Sequence, residues 1–158
     1  MKFKIVEIKQ LSGEKAKIYS VLVEGDENSL LEQFFEENVG YTNDLKWMAT
    51  NLATMGHSYG CRISFFKENE GAPGDGVVAY RRNKLRLYCL RFDSACIFCG
   101  SGGVKTTRTY QDDPILNSKV QQIKKIAASI NKAIKEGDLT IHDDGTYETT
   151  QFLDLHYE

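Results

Sequence analysis

Between Tyr80 and Tyr110 the chain carries Arg81, Arg82, Lys84, Arg86, Arg91, Lys105 and Arg108, with Asp93 as the single acid. The whole sequence of 158 residues has a formal net charge of −2, so a cationic segment is set into an acidic body. A local field of this kind fits an anionic ligand held at one place. Charge alone leaves a second reading open, in which these side chains are solvated strand ends paired with acids elsewhere. Spacing adds to the first reading. Lys84, Arg86 and Tyr88 are two apart, so in a strand they share one face, and Leu85, Leu87 and Cys89 share the other. A sheet with one face packed on helices and the other carrying Lys, Arg and Tyr would make a phosphate-binding surface. Further on, Lys105-Thr106-Thr107-Arg108-Thr109-Tyr110 adds two cations, three hydroxyls and an aromatic ring. Guanidinium groups take phosphate oxygens bidentately, and a tyrosine can stack on a base or move a proton.

Other chemistries find no support. Gly-x-Ser-x-Gly is absent, and Gly100-Ser101-Gly102-Gly103 has neither the spacing of a phosphate-binding loop nor the Lys-Ser/Thr that follows one. The acid pairs Asp112-Asp113 and Asp143-Asp144 fall at a helix cap and a turn, where capping accounts for them. His57 follows a helix end, while His142 and His156 lie among polar residues, so no histidine pair has ligand spacing. Cys96-Ile97-Phe98-Cys99 has the spacing of a zinc knuckle. In a strand, however, residues three apart face opposite sides and cannot chelate one ion. Cys61, Cys89, Cys96 and Cys99 are therefore expected to be buried thiols, with no metal and no cofactor.

The elements that must position the cations can be outlined from period and punctuation. Phe3 to Ile8 and Ile18 to Val23 form a hairpin around Leu11-Ser12-Gly13-Glu14. Asp26 or Asn28 caps a helix through Leu30, Leu31, Phe34 and Phe35 that ends at Gly40. A second helix starts at Thr42/Asn43 and carries Leu45, Trp47, Met48, Leu52 and Met55 toward the core. After Ile63 to Lys67 comes a turn-rich link, Glu70 to Gly76, and then an antiparallel meander of Val77 to Arg81, Leu85 to Phe92 and Ala95 to Cys99. Gly100 to Gly103 closes the third strand. Asp113 and Pro114 open a long helix whose stripe is Leu116, Val120, Ile123, Ala127, Ile130 and Ile134, with Gly137 as its stop. A final hairpin turns at Asp144-Gly145.

The length fits one α+β domain over residues 1–158, large enough for its own core. A hydrophobic share of 41% and a charged share of 27% are those of an ordinary globular fold. No apolar run is long enough for a transmembrane helix. Met1 to Glu7 alternates charge and bulk where a signal peptide would place a basic and then an apolar stretch, so a cytoplasmic protein is expected.

The order of these parts resembles a known family. Two helices and a Phe-Phe-Lys link precede Gly76-Val77-Val78-Ala79-Tyr80-Arg81 and Lys84-Leu85-Arg86-Leu87-Tyr88-Cys89-Leu90-Arg91. Cys96-Ile97-Phe98-Cys99-Gly100, Val104-Lys105-Thr106-Thr107 and a last helix follow. This sequence is similar to the RelE/ParE superfamily of bacterial toxins, nearest its HigB-like branch, over about Tyr19 to Lys135. The resemblance implies a RelE-like antiparallel sheet packed on N-terminal helices, with a long C-terminal helix. Residues 1–17 would be an added strand and 138–158 an extension with its own hairpin, either able to cover the site. It also implies the toxin of a type II toxin–antitoxin pair, a ribosome-associated mRNA endonuclease in which the RNA 2′-hydroxyl attacks the adjacent phosphate without a metal. Carried over by position, Arg81, Arg86 and Arg91 match the family's strand cations and Lys105 its post-strand lysine, while Arg108 and Tyr110 match its variable last group. Arg86 and Arg108 would stabilise the phosphate, Lys84, Lys105 or Tyr110 would transfer protons, and Arg81, Tyr88 and Arg91 would hold the RNA backbone. The implied partners are mRNA on the ribosome and a helix-turn-helix antitoxin, which would supply any contact to DNA. Two alternatives stand beside this: a ParE-like inhibitor that binds a protein such as DNA gyrase, and a module that keeps the fold without catalysis.

Overall fold

The computed structural model describes residues 1–68 and 75–158. It holds a five-stranded sheet in the order β1-β2-β5-β4-β3 and a separate two-stranded hairpin. The strands are β1 (Phe3–Glu7), β2 (Lys17–Val23), β3 (Val77–Arg82), β4 (Leu85–Phe92) and β5 (Cys96–Val104), with β6 (Leu139–Ile141) and β7 (Tyr147–Thr149) in the hairpin. The helices are α1 (Leu30–Glu37), α2 (Thr42–Thr54) and α3 (Pro114–Lys135). The class is mixed α+β, as expected, and the meander β3-β4-β5 is antiparallel throughout. One pairing was not foreseen: β2 runs parallel to β5, with Lys17 opposite Cys96 and Ser20 opposite Cys99. Most of the link from Glu70 onward, through Gly74, lies outside the described residues.

Helices cover both faces of the sheet. On one, Tyr19, Val21, Ala79, Tyr88, Leu90, Cys96 and Phe98 pack on the α3 stripe from Leu116 to Ala133. On the other, Ile18, Val78, Tyr80, Leu85, Leu87, Ile97 and Cys99 meet Leu31 and Phe34 of α1 and Leu45, Met48 and Leu52 of α2. The expected open, basic face does not exist, because α3 and the hairpin occupy it. The strands show why: β4 and β5 are near-continuous in buried residues, the pattern of strands covered on both sides and not of alternating ones.

Gly100, Ser101, Gly102 and Gly103 do not close β5 but form its second half. Their small size lets both the neighbouring strand β4 and the helix α3 approach β5 closely. A Cβ at Gly100 would lie 3.1 Å from Ile123 Cδ1, and one at Gly102 would penetrate the Arg86 carbonyl. Ser101, buried beside them, has no hydrogen-bond partner for its hydroxyl among the described residues.

Local punctuation places the helices. Asp113 caps α3 by accepting from Ile115 and Leu116 amides, with Pro114 as its first residue and Gly137 (φ +81°) after its end. The cap of α1 is Ser29 and not Asp26 or Asn28: Ser29 Oγ accepts from the Glu32 amide while Glu32 reaches back to Ser29 N, a full capping box. Among the described residues no side chain caps α2, which continues through one wide π turn, Met55–Tyr59, carrying His57.

The C-terminal extension packs on α3 and on the β1 edge. Tyr19 Oη donates to Gly145 O at 2.7 Å, the Phe3 amide donates to Leu155 O at 3.0 Å, and Lys2 bridges His156. It thus covers the start of the β1 edge, where unpaired backbone groups could otherwise template aggregation. Among the described residues, no helix is long and apolar enough to cross a membrane.

Candidate phosphate-binding end of the sheet

Three strand ends deliver the cations to one place. Arg81 lies directly opposite Arg86 in the β3–β4 register, and Arg86 lies opposite Gly103 of β5. Beyond the ladder, the Lys105 amide donates to Lys84 O at 2.7 Å, which sets these two lysines side by side. Neighbouring strands are about 4.8 Å apart, so Arg81, Lys84, Arg86 and Lys105 emerge within a width of roughly 10 Å. Lys84 sits in the turn, not on the strand as its spacing with Arg86 implied, because the two turn residues are Asn83 and Lys84. Asn83 takes the left-handed conformation (φ +51°) that asparagine tolerates better than most residues.

Each cation is held differently. Arg81 and Lys84 are exposed and, with Arg108, form no ion pair among the described residues. Arg86 is half-buried, and its Nη1 donates to Asn83 O at 2.6 Å and to Leu85 O at 2.9 Å. Arg82 points to the opposite layer, where its Nε lies 3.6 Å from Asp44 Oδ1 and its guanidinium stacks 4.3 Å above the Trp47 ring. Trp47 is therefore not core, as its helical spacing implied, but a partly exposed platform for Arg82, resting on Tyr80. Burial pushes the Tyr80 hydroxyl well above its ordinary pKa, and it stays protonated beneath.

After Val104 the chain turns back across the α3 layer. The Tyr110 ring lies 6.3 Å from that of Tyr88, two residues along β4 from Arg86, so the segment Lys105 to Thr109 overhangs this end of the strand. Arg108 is exposed on that overhang. Tyr88 shares the Arg86 face, as its spacing predicts, but only 1% of it is exposed, so it supports Tyr110 and cannot stack on a ligand base. Arg91 is excluded from the group as well. It lies five residues from Arg86, on the α2 side, where its Nε donates to Cys61 O at 2.7 Å. The gathered set is thus Arg81, Lys84, Arg86 and Lys105, with Arg108 and Tyr110 on the overhang.

The carboxyl ends of the parallel pair β2 and β5 lead to α1 on one face and to α3 on the other. Sequence reasoning missed Asp44, which braces the β3–β4 turn by accepting a 2.8 Å hydrogen bond from Asn83 Nδ2. The local signal was Asn83 at a turn; the partner on α2 is 39 residues away.

The cysteines sit as strand period dictates. Cys96 packs in the α3 layer, and Cys99 with Cys61 and Cys89 in the α1–α2 layer. All are free thiols. Burial raises Cys61 and Cys96 to about 12, and contact with the Cys89 thiol, then burial, holds Cys99 well above its ordinary value. Comparison with protein-family models, curated proteins and solved structures finds no match to this chain.

Proposed function

We propose that this chain is an RNA-cleaving toxin whose basic sheet end grips the backbone of mRNA on the ribosome. The observation that carries the reading is Arg81 facing Arg86 across β3 and β4 with Lys84 and Lys105 alongside. Like charges directly opposite in a sheet destabilise it. A polyanion laid across this end would offset that repulsion. In that reading Arg86 and Arg108 stabilise the charge developing on phosphorus as the 2′-hydroxyl attacks, and Lys84, Lys105 or Tyr110 moves the protons. The partner it requires is an antitoxin that masks this end.

Induction in cells and mRNA cleavage in a translating extract test this, with melting temperature as the control for folding. Arg86→Ala and Arg108→Ala should each lower cleavage by about 10²- to 10³-fold, the usual loss for one preorganised transition-state donor. Arg91→Ala should keep it. A parent chain that neither arrests growth nor cuts mRNA overturns the nuclease reading. A second reading, an inhibitor acting by binding a protein, draws on Tyr59, Ile63 and Phe65, which are partly exposed around Arg62 on the α2 side. Growth arrest with intact mRNA would favour it.

A further inference from the structure

The turn that launches Lys84 and Arg86 is clamped from outside the sheet. Asp44, in the first turn of α2, accepts a hydrogen bond from Asn83 Nδ2 at 2.8 Å, and the same oxygen lies 3.6 Å from Arg82 Nε. Trp47, one helical turn further along α2, carries the Arg82 guanidinium on its ring. Asn83 and Arg82 are thereby fixed to the helix on the side away from α3. The left-handed backbone at Asn83 leaves its carbonyl accepting from Arg86 Nη1 at 2.6 Å. Asp44 and Arg86 lie on different layers of the molecule, yet a single residue connects them.

We infer that Asp44 is a positioning residue for Arg86: by holding the Asn83 side chain it sets the carbonyl that orients the Arg86 guanidinium. This rests on the reading of the basic end as an RNA-backbone site. An arginine anchored before the ligand arrives loses less side-chain freedom on binding, so it binds phosphate more tightly than the same charge on a mobile stem. The alternative is that Asp44 only complements the α2 dipole and steadies a turn. The two differ in whether its effect depends on Arg86.

The test uses the full chain, a short labelled single-stranded RNA followed by fluorescence anisotropy, and ¹⁵N relaxation of the Arg86 Nε–H group without RNA. Three variants separate the parts. Asp44→Ala removes the acceptor, Asp44→Asn retains an acceptor for the Asn83 amide, and Asn83→Gly keeps the carbonyl and the positive φ but loses the donor. Asp44→Ala and Asn83→Gly should each make the Arg86 side chain more mobile and weaken RNA binding by about 2- to 12-fold, the cost of ordering one long side chain. Asp44→Asn should restore most of both. In an Arg86→Ala background, Asp44→Ala should change affinity no further, as expected of residues acting as a unit. Unchanged Arg86 mobility in Asp44→Ala, or equal weakening with and without Arg86, overturns the inference in favour of a purely structural clamp. A parent that binds no RNA overturns the functional reading instead, and the relaxation measurement still decides the positioning.

Discussion

Replacing Arg81 with glutamine separates a binding charge from a structural one, because the two roles have opposite signs in stability. Arg81 is exposed, stands opposite Arg86 and has no ion-pair partner among the described residues. Glutamine keeps most of the stem and removes the charge. Relief of a directly opposed like-charge pair should stabilise the fold by about 0.2–1 kcal/mol. For a chain of this size that raises the melting temperature by roughly 0.5–4 °C, and the gain should shrink in high salt. RNA binding should move the other way. If Arg81, Lys84, Arg86, Lys105 and Arg108 each meet one phosphate, log K falls against log salt with a slope of about −3.5, at about −0.7 per single-strand contact. Between about 50 and 200 mM salt the parent then loses roughly 100-fold in affinity, and Arg81→Gln, with a slope near −2.8, roughly 50-fold. Anisotropy titrations across that range, paired with thermal melts at both ends of it, read the two quantities on the same protein. A variant that melts lower than the parent, or keeps its salt slope, would refute the argument that this cation is retained for a polyanion.

Arg91→Ala should show the complementary pattern. Loss of its bond to Cys61 O should cost about 1.5–3 kcal/mol in urea unfolding, with the RNA salt slope intact. Gly102→Ala drives a methyl group into the Arg86 carbonyl, so calorimetry should show a loss of about 1–3 kcal/mol and weakened RNA binding together. Asp113→Ala leaves the Ile115 and Leu116 amides without their cap and should lower stability by about 0.5–2 kcal/mol in the same assay. Burial raises Cys61 and Cys96 from their ordinary 9.0 to about 12, so the unfolded chain releases these protons first. Their contribution is full below pH 9.0 and is lost as pH climbs toward 12, at about 1.4 kcal/mol per pH unit for each thiol. Urea midpoints at about pH 8 and pH 10.5 should differ less in a Cys61→Ala, Cys96→Ala variant; an equal difference would place the alkaline loss elsewhere.

Features that depend on neighbours in the chain were legible in the sequence. Asp113-Pro114 and Gly137 mark the ends of α3 because caps and stops are made by residues within one turn of the boundary. Cys96 and Cys99 fall in opposite layers because a strand alternates its faces every residue. The shared face of Arg86 and Tyr88 follows from the same period. What lies against each face is a different matter. A pattern of two states per residue marks apolar from polar positions but does not say which distant segment supplies the cover. The apolar and small run from Cys96 to Gly103 did carry a sign that β5 is enclosed on both sides, and the glycines within it carried the reason the layers can close.

The tertiary structure alone decided which cations meet. The parallel pairing of β2 with β5, residues 79 apart at Ser20 and Cys99, makes their carboxyl ends diverge at the end where Lys105 emerges. The register of β3 on β4 sets Arg81 against Arg86, and five residues of β4 carry Arg91 to the far end and the other layer. Tyr88 is withdrawn from solvent beneath α3, and Trp47 stands partly exposed with Arg82 stacked on its ring. Sequence spacing supplies period, and period determines only the face on which a side chain lies. Proximity between segments is set by strand register and by the packing of layers, which depend on the sum of many weak contacts between residues far apart in the chain.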